Sequence, residues 1–304
     1  PNTMQEWVDK VTVDLKGADF SKKLVWRTNE GFSVQPMYRL ENMKDLKNLD
    51  CFPGEFPFVR GNKKDNNDWY VRQNIRVEDV AEANKKALDV LNRGVNSLGF
   101  IFTGCREFSK ADMAALLKDI CLECVEINFV CECKKCSLLD AFMAVVEERG
   151  IDPEKIYGGI NIDPLTNLTL KGKICCEHPF GAPLENTKKM AAYKNFKTIE
   201  VGGYVFNNSG ASIVQELGFS LAAGVEYLDK LTEAGMSVNE VAPRIRFHFA
   251  TGSKYFMEIA KLRAARYLWA HIVKAYNPCC DSMCKMNIHA ETSEWNKTVY
   301  DPNV

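Results

Sequence analysis

Residues 244–276 read RIRFHFATGSKYFMEIAKLRAARYLWAHIVKAY, and this stretch decides the fold. In Arg244-Ile245-Arg246-Phe247-His248-Phe249 the apolar residues fall on every second position, the period of a strand. After Ala250-Thr251-Gly252-Ser253 they recur every three or four positions, at Phe256, Ile259, Leu262, Trp269 and Val273, the period of a helix. Ser253 is the expected N-cap. A period that changes from two to about 3.6 across one short link marks a strand followed by a helix. The strand's second face carries Arg246 and His248, where a strand buried on both sides would be apolar. Those side chains are expected to face something polar.

The same alternation extends outward. Strands are expected at residues 69–75, 97–103, 125–131, 155–163, 198–203, 244–250 and 283–289. Helices are expected at 80–93, 110–120, 137–149, 211–234 and 254–276, with a short one at 188–193 in an otherwise irregular stretch from 163 to 189. Regular βα alternation predicts a parallel sheet, open and doubly wound or closed as a barrel. No G-x-G-x-x-G follows the first strand and no GxxxxGK[ST] occurs, which argues against dinucleotide and P-loop sites. About seven strands before the chain stops suit an α/β fold of the (β/α)8 TIM type that lacks its last unit. The final Thr298-Val299-Tyr300-Asp301-Pro302-Asn303-Val304 does not read as a natural terminus, so a longer protein is expected to continue beyond it.

Residues 1–65 read as a separate extended N-terminal arm and 66–304 as the incomplete barrel. A short helix is expected at 5–15. Residues 26–60 are extended, aromatic-rich chain, with prolines at 36, 53 and 57 that forbid long regular elements. Such an arm needs a surface: it packs on its own body or wraps a partner subunit. Residues 62–68, NKKDNND, form a polar, solvated loop.

The chain has 304 residues, 46% hydrophobic and 26% charged, the composition of an ordinary globular protein. A net charge of −1 with no basic block argues against a nucleic-acid partner. No apolar run approaches the roughly 18 residues of a membrane span. Twelve cysteines spread through βα-type sequence predict reduced thiols and a cytoplasmic setting.

The strands share a pattern. Ile127 and Phe129 alternate with Glu126 and Asn128; Ile160 and Ile162 with Asn161 and Asp163; Ile199 and Val201 with Glu200; Met286 and Ile288 with Asn287 and His289. In a barrel one set packs under the helices and the other points inward. Barrel interiors are usually filled with branched apolar side chains, and this one would be polar. It either holds a polar ligand or is closed by long, paired charges. The bulk of Arg, Glu and His favours the closed lumen.

Other signals carry less. Cys121-x-x-Cys124 and Cys131-x-Cys133-x-x-Cys136 suggest a metal, but about seven strand residues at ~3.3 Å each separate the groups by roughly 20 Å, against zinc–thiolate distances of ~2.3 Å. Cys131, Cys133 and Cys136 alone remain a weaker possibility. Cys175-Cys176 and Cys279-Cys280 are read, like the rest, as thiols acting as small hydrophobes. Of four histidines, His178 lies in a loop, His271 on the long helix, and His248 and His289 on adjacent inward strand positions, where a structural role outweighs that of a base. Lys261, Arg263 and Arg266 are expected on the helix surface or a subunit interface. Glu258 with Lys261 reads as an ordinary i,i+3 pair worth a few tenths of a kcal/mol.

The segments EGFSVQPMYR, PGEFPFVRG, WYVRQ, GGYVFNNSGA and ATGSKYFMEIAKLRAARYLWA, in that order, resemble the N-terminal part of the methylmalonyl-CoA mutase family. The resemblance runs from about Trp26 to Tyr300. It implies an extended arm, a (β/α)8 barrel and a C-terminal flavodoxin-like cobalamin domain beyond Val304. Departures from the catalytic pattern matter. Catalytic members carry a tyrosine after the Arg-Gln of the first strand, where this chain has Asn74. They read Gly-Tyr-His at the end of the fifth strand, where this chain has Gly203-Tyr204-Val205. Their coenzyme A-clasping Thr-Met-Tyr segment is replaced by the loop at 62–68. Their substrate-binding arginine has no counterpart beyond a nearby Lys197. The resemblance therefore implies a non-catalytic small subunit, probing no substrate itself, beside a catalytic large subunit that holds adenosylcobalamin and interconverts methylmalonyl-CoA and succinyl-CoA. No residue of this chain is assigned a catalytic, cofactor-binding or metal role. The alternatives are a divergent acyl-CoA mutase with its own substrate, and a coenzyme A- or metal-binding regulatory module.

Overall fold

The computed structural model describes residues 3–103, 107–131, 138–173 and 177–300. The arm opens with α1 (Met4–Asp14), capped by Thr3 and Glu6, and α2 (Phe20–Leu24), capped by Asp19. A two-residue antiparallel ladder follows, β1 (Trp26–Arg27) with β2 (Ser33–Val34). The body then alternates as expected: β3 (Arg72–Arg76), α3 (Val80–Asn92), β4 (Ser97–Phe102), α4 (Lys110–Leu116), β5 (Glu126–Cys131), α5 (Leu138–Glu148) and β6 (Gly158–Ile160). After α6 (Pro164–Lys171) and α7 (Gly181–Lys189) come β7 (Phe196–Lys197), β8 (Ile199–Gly202), α8 (Tyr204–Asn208), α9 (Ile213–Glu233), α10 (Val238–Val241), β9 (Ile245–Thr251), α11 (Tyr255–Ala275) and β10 (Asn287–Thr292).

All pairings from β3 onward are parallel, in a five-stranded sheet β3-β4-β5-β6-β7 and a three-stranded sheet β8-β9-β10. Only Thr198 separates β7 from β8, so the two sheets run on from one another. Among the described residues β3 and β10 do not pair, so this is a partial TIM-type barrel and not a closed one. Two apolar cores lie under the sheets. One holds Phe100, Ile127, Phe129, Phe142 and Phe196; the other holds Val201, Tyr227, Phe247, Phe249 and Trp269. The alternating apolar set of each strand supplies both, as the period-two pattern predicts.

Several boundaries differ from expectation. The stretch at 163–189 carries two helices. Asp163 N-caps α6 with Pro164 at its first turn and Gly172 in the left-handed conformation closes it, which is the ordinary start-and-stop chemistry of a helix. The strand expected at 283–289 starts at Asn287, because Asp281–Cys284 form a 3-10 turn. Ser253 is not the cap of α11; Lys254 occupies that position without a capping side chain.

The first turns of α11 also face the opposite way. Phe256 is 81% exposed and Ile259 is exposed, while Glu258 and Lys261 are buried, Lys261 at 2%. Lys261 Nζ lies 2.7 Å from Glu216 Oε2 and 2.6 Å from Glu258 Oε2, and donates to Ala250 O at 2.6 Å. The pair read as surface decoration is part of a sealed network. Further along, Ala265, Trp269 and Val273 are buried as the period requires.

The arm divides between its two readings. Near its end, Phe58 is buried in the second core, and Arg266 of α11 donates to Phe58 O and Val59 O at 3.0 and 3.1 Å. Arg266 therefore clamps the arm to the body instead of lying free on the surface. In the middle of the arm, Phe32, Tyr38, Leu40, Leu46, Leu49 and Phe52 are exposed.

Candidate functional site

The polar faces of the strands meet inside the curved sheets. Arg246 on β9 donates from Nη2 to Glu200 Oε2 on β8 at 2.8 Å and from Nη1 to Asn128 Oδ1 on β5 at 2.5 Å. Asn128 donates to Ser97 Oγ on β4 at 3.2 Å and to Glu126 Oε2 at 3.1 Å. Arg72 on β3 donates to the same Glu126 oxygen at 3.0 Å. One hydrogen-bonded chain thus runs from β3 to β9. Glycines make room for it. A Cβ at Gly99 would lie 2.1 Å from Asn74 Oδ1, and one at Gly159 would lie 3.1 Å from Arg246 Nη1.

The chain continues into β10. His248 Nδ1 is 3.4 Å from Glu200 Oε1, and its Nε2 is 3.2 Å from Glu291 Oε2. His289 lies opposite His248 in the parallel register, their rings 4.4 Å apart. Tyr204 covers His248 at the same centroid distance. The cluster sets its own charges. Burial pushes the Glu200 carboxyl up, but Arg246 and His248 outweigh it and hold it well below the usual range. Burial likewise raises Glu126, and Arg72 and Arg246 reverse the shift. Arg72 itself is pushed down to about 10, first by burial and then by Arg246. His289 is pushed down to about 2 by burial and by Arg72, so its ring is neutral. His248 goes the other way: burial lowers it, and Glu200 and Glu291 more than compensate.

Beside this cluster opens a cleft of about 1310 Å³, with Trp69, Tyr70, Arg72, Asn74, His289 and Glu291 among its walls. Paired charges fill part of the interior, but among the described residues the cleft lies between β3 and β10, so the closed lumen expected from the bulk of Arg, Glu and His is not found.

Of the residues expected to point inward together, Arg246, His248, Glu126, Asn128 and Glu200 do meet. Asp163 does not join them. It caps α6, accepts from Gly202 N at 2.7 Å and takes the Tyr227 hydroxyl at 2.6 Å. Asn161 is used locally, accepting from Cys131 N at 2.8 Å. Arg72, Ser97 and Glu291 were not singled out in the sequence. Only Glu291 shares a strand with a recognised inward position, two residues beyond His289, so the strand period could have found it.

Cys121 and Cys124 are exposed, with sulfurs 2.7 Å apart, before β5, whose far end carries Cys131. Cys131 is disulfide-bonded, not the reduced thiol expected from the composition. Cys284 is a buried thiol, while Cys279 and Cys280 are exposed. Cys133, Cys136, Cys175 and Cys176 lie outside the described residues. His178 is exposed in its loop, and His271 stacks against Phe56 and Tyr267. Asn74 stands at the cleft wall, and Val205 is buried. Among the described residues no helix is long and apolar enough to cross a membrane.

Comparison with known proteins agrees with this architecture. Residues 27–107 and 103–304 match the family described as Methylmalonyl-CoA mutase. The chain is 47% identical, over its whole length, to the methylmalonyl-CoA mutase small subunit of Porphyromonas gingivalis, and covers 49% of that protein. It is 31% identical to the methylmalonyl-CoA mutase large subunit of Streptomyces virginiae, with 91% of this chain matching 42% of that one. It is 29% identical to the human mitochondrial methylmalonyl-CoA mutase, with 98% of this chain matching 43% of that one. The chain thus spans about half the length of these relatives or somewhat less. With the family matched across nearly every residue from the arm to the last strand, the chain belongs to the methylmalonyl-CoA mutase family.

Proposed function

We propose that this chain is the arm and barrel part of the small, non-catalytic subunit of a heterodimeric methylmalonyl-CoA mutase. Its partner is a catalytic large subunit that interconverts methylmalonyl-CoA and succinyl-CoA with adenosylcobalamin, in the cytoplasm. The observation that carries the reading is the full-length 47% identity to a chain named as a small subunit, against about 30% to catalytic-type mutases. Two residues support it, Asn74 at the cleft wall and the buried Val205. Asn74 has no phenol, and Val205 can neither donate a hydrogen bond nor carry a proton.

These residues do not fit adenosylcobalamin. Val205 is buried and apolar at the position where the family resemblance places a histidine, and the neighbouring Tyr204 ring is stacked on His248. In this reading the large subunit holds the cofactor, and no step of the rearrangement is assigned to this chain. The exposed apolar middle of the arm is the element best suited to contact the partner, since a surface of this kind marks an interaction site.

The test is assay of the full-length chain with and without a large subunit. Activity on succinyl-CoA is expected only from the pair. Turnover by the chain alone would refute the reading. The cleft of about 1310 Å³ favours a second reading, a divergent acyl-CoA mutase with its own substrate. Calorimetric titration with coenzyme A separates the two, because that reading requires the isolated chain to bind it.

A further inference from the structure

We propose that His248, His289 and Glu291 form a binding site for one divalent transition-metal ion, which takes an imidazole nitrogen from each histidine and one carboxylate oxygen. The site is independent of the subunit reading and lies at the seam between β9 and β10.

The parallel register makes the site. His289 is the direct partner of His248, and Glu291, two residues further along β10, points to the same face. One ligand atom from each of the three lies within 4.8 Å of the others. Ligands at about 2.0–2.2 Å from a common tetrahedral ion stand roughly 3.3 Å apart. His248 Nε2 and Glu291 Oε2 are already at 3.2 Å. A nitrogen of His289 lies within 4.8 Å of both.

An unsatisfied atom points to a ligand. His248 Nε2 is buried and makes no hydrogen bond, although a carboxylate oxygen stands beside it. Nδ1 is directed at Glu200, and Nε2 stands 3.2 Å from Glu291 Oε2, about the separation two ligands take around one tetrahedral ion. Glu200 stands in the position of the outer carboxylate that orients metal-binding histidines. Of the two arginines nearby, Arg72 is paired with Glu126 and Arg246 with Glu200. The large cleft, walled in part by His289 and Glu291, gives an entry path and space for water at the remaining coordination positions.

Two imidazoles and one carboxylate select zinc, iron(II), cobalt or nickel over magnesium or calcium, which prefer all-oxygen sets. The ion would tie β10, the edge strand of its sheet, to β9 by a bond the backbone ladder does not supply. The competing arrangement is an imidazolium shared between Glu200 and Glu291, with His289 uninvolved.

The experiment titrates the full-length chain, stripped of metal with a chelator, with cobalt(II). Visible ligand-field bands without a thiolate charge-transfer band, at one equivalent, are expected, together with a raised unfolding temperature. His289→Ala and Glu291→Gln should each weaken binding by at least the 10- to 100-fold that follows loss of an outer-shell partner, and should abolish the thermal shift. Glu291 is half-exposed and its replacement isosteric, so that variant keeps the fold. A spectrum dominated by thiolate ligation, no uptake, or affinity unchanged in both variants would overturn the site.

Discussion

Strand β9 carries two buried charge clusters that differ in what they enclose. On its inner face Arg246 and His248 share Glu200, beside an open cleft. At its end the Ala250 backbone is held by Glu216 of α9 and Lys261 of α11, both with fully buried side chains. In the sealed cluster Lys261 meets two carboxylates and a carbonyl, although Glu258 Oε2 makes an ion pair without a hydrogen bond. In the inner cluster His248 Nε2 is left without a hydrogen bond. The first fixes how α9 and α11 sit on the sheet. The second borders the cleft through Arg246, His289 and Glu291. Burying charge is thus used once for packing and once at a surface open to chemistry.

The sharpest way to break the comparison is Lys261→Met. It strands two carboxylates in a place where burial already pushes the Glu216 carboxyl up against the pull of Lys261. Removing one partner of a buried pair typically costs about 3–5 kcal/mol. Urea unfolding should show a loss of that size, and adding Glu216→Gln should return part of it, because the two residues share one network. A loss below about 1 kcal/mol would mean the cluster behaves like a surface pair. The matching change in the inner cluster, Glu200→Gln, should cost less. Arg246 keeps Asn128 and an amide oxygen of the same shape, so the loss expected is about 1.5–3 kcal/mol, that of a hydrogen bond to a charged group. Equal losses in the two variants, measured by the same unfolding assay, would erase the distinction.

These clusters also mark where sequence reading succeeded and where it stopped. The βα order, the parallel sheets and the inward placement of Arg246, His248, Glu126 and Glu200 were legible, because strand period fixes which side chains share a face. The face of α11 was not. Its apolar residues Phe256 and Ile259 stand outward while Glu258 and Lys261 are buried, since a salt-bridge network formed with a distant helix overrode the local pattern. The two helices between 163 and 189 were missed although Asp163-Pro164 and Gly172 signal one of them. Glu291 was missed because the expected strand ended at His289, whereas β10 runs on to Thr292.

Lys197 tests the cleft side of the comparison with the smallest expected effect. Its ammonium donates to Pro243 O at 2.9 Å and borders the cleft. Burial, then Arg244 and Arg246, push its pKa down to about 8. An unfolded lysine titrates near 10.4. Between about 8 and about 10.4 the unfolded chain therefore binds more protons than the folded one, and this residue's contribution to stability rises with pH across that window. Below about 8 both states are protonated and the full cost of burying the charge is present. Lys197→Met removes that cost while leaving the other titrating groups, cysteines included, common to both proteins. The stability of the parent minus that of the variant should become more favourable to the parent as pH rises from about 8 to about 10. A difference that stays flat over this range would show that the ammonium is fully hydrated by the cleft, and that the open side of the barrel imposes no desolvation on the charges at its rim.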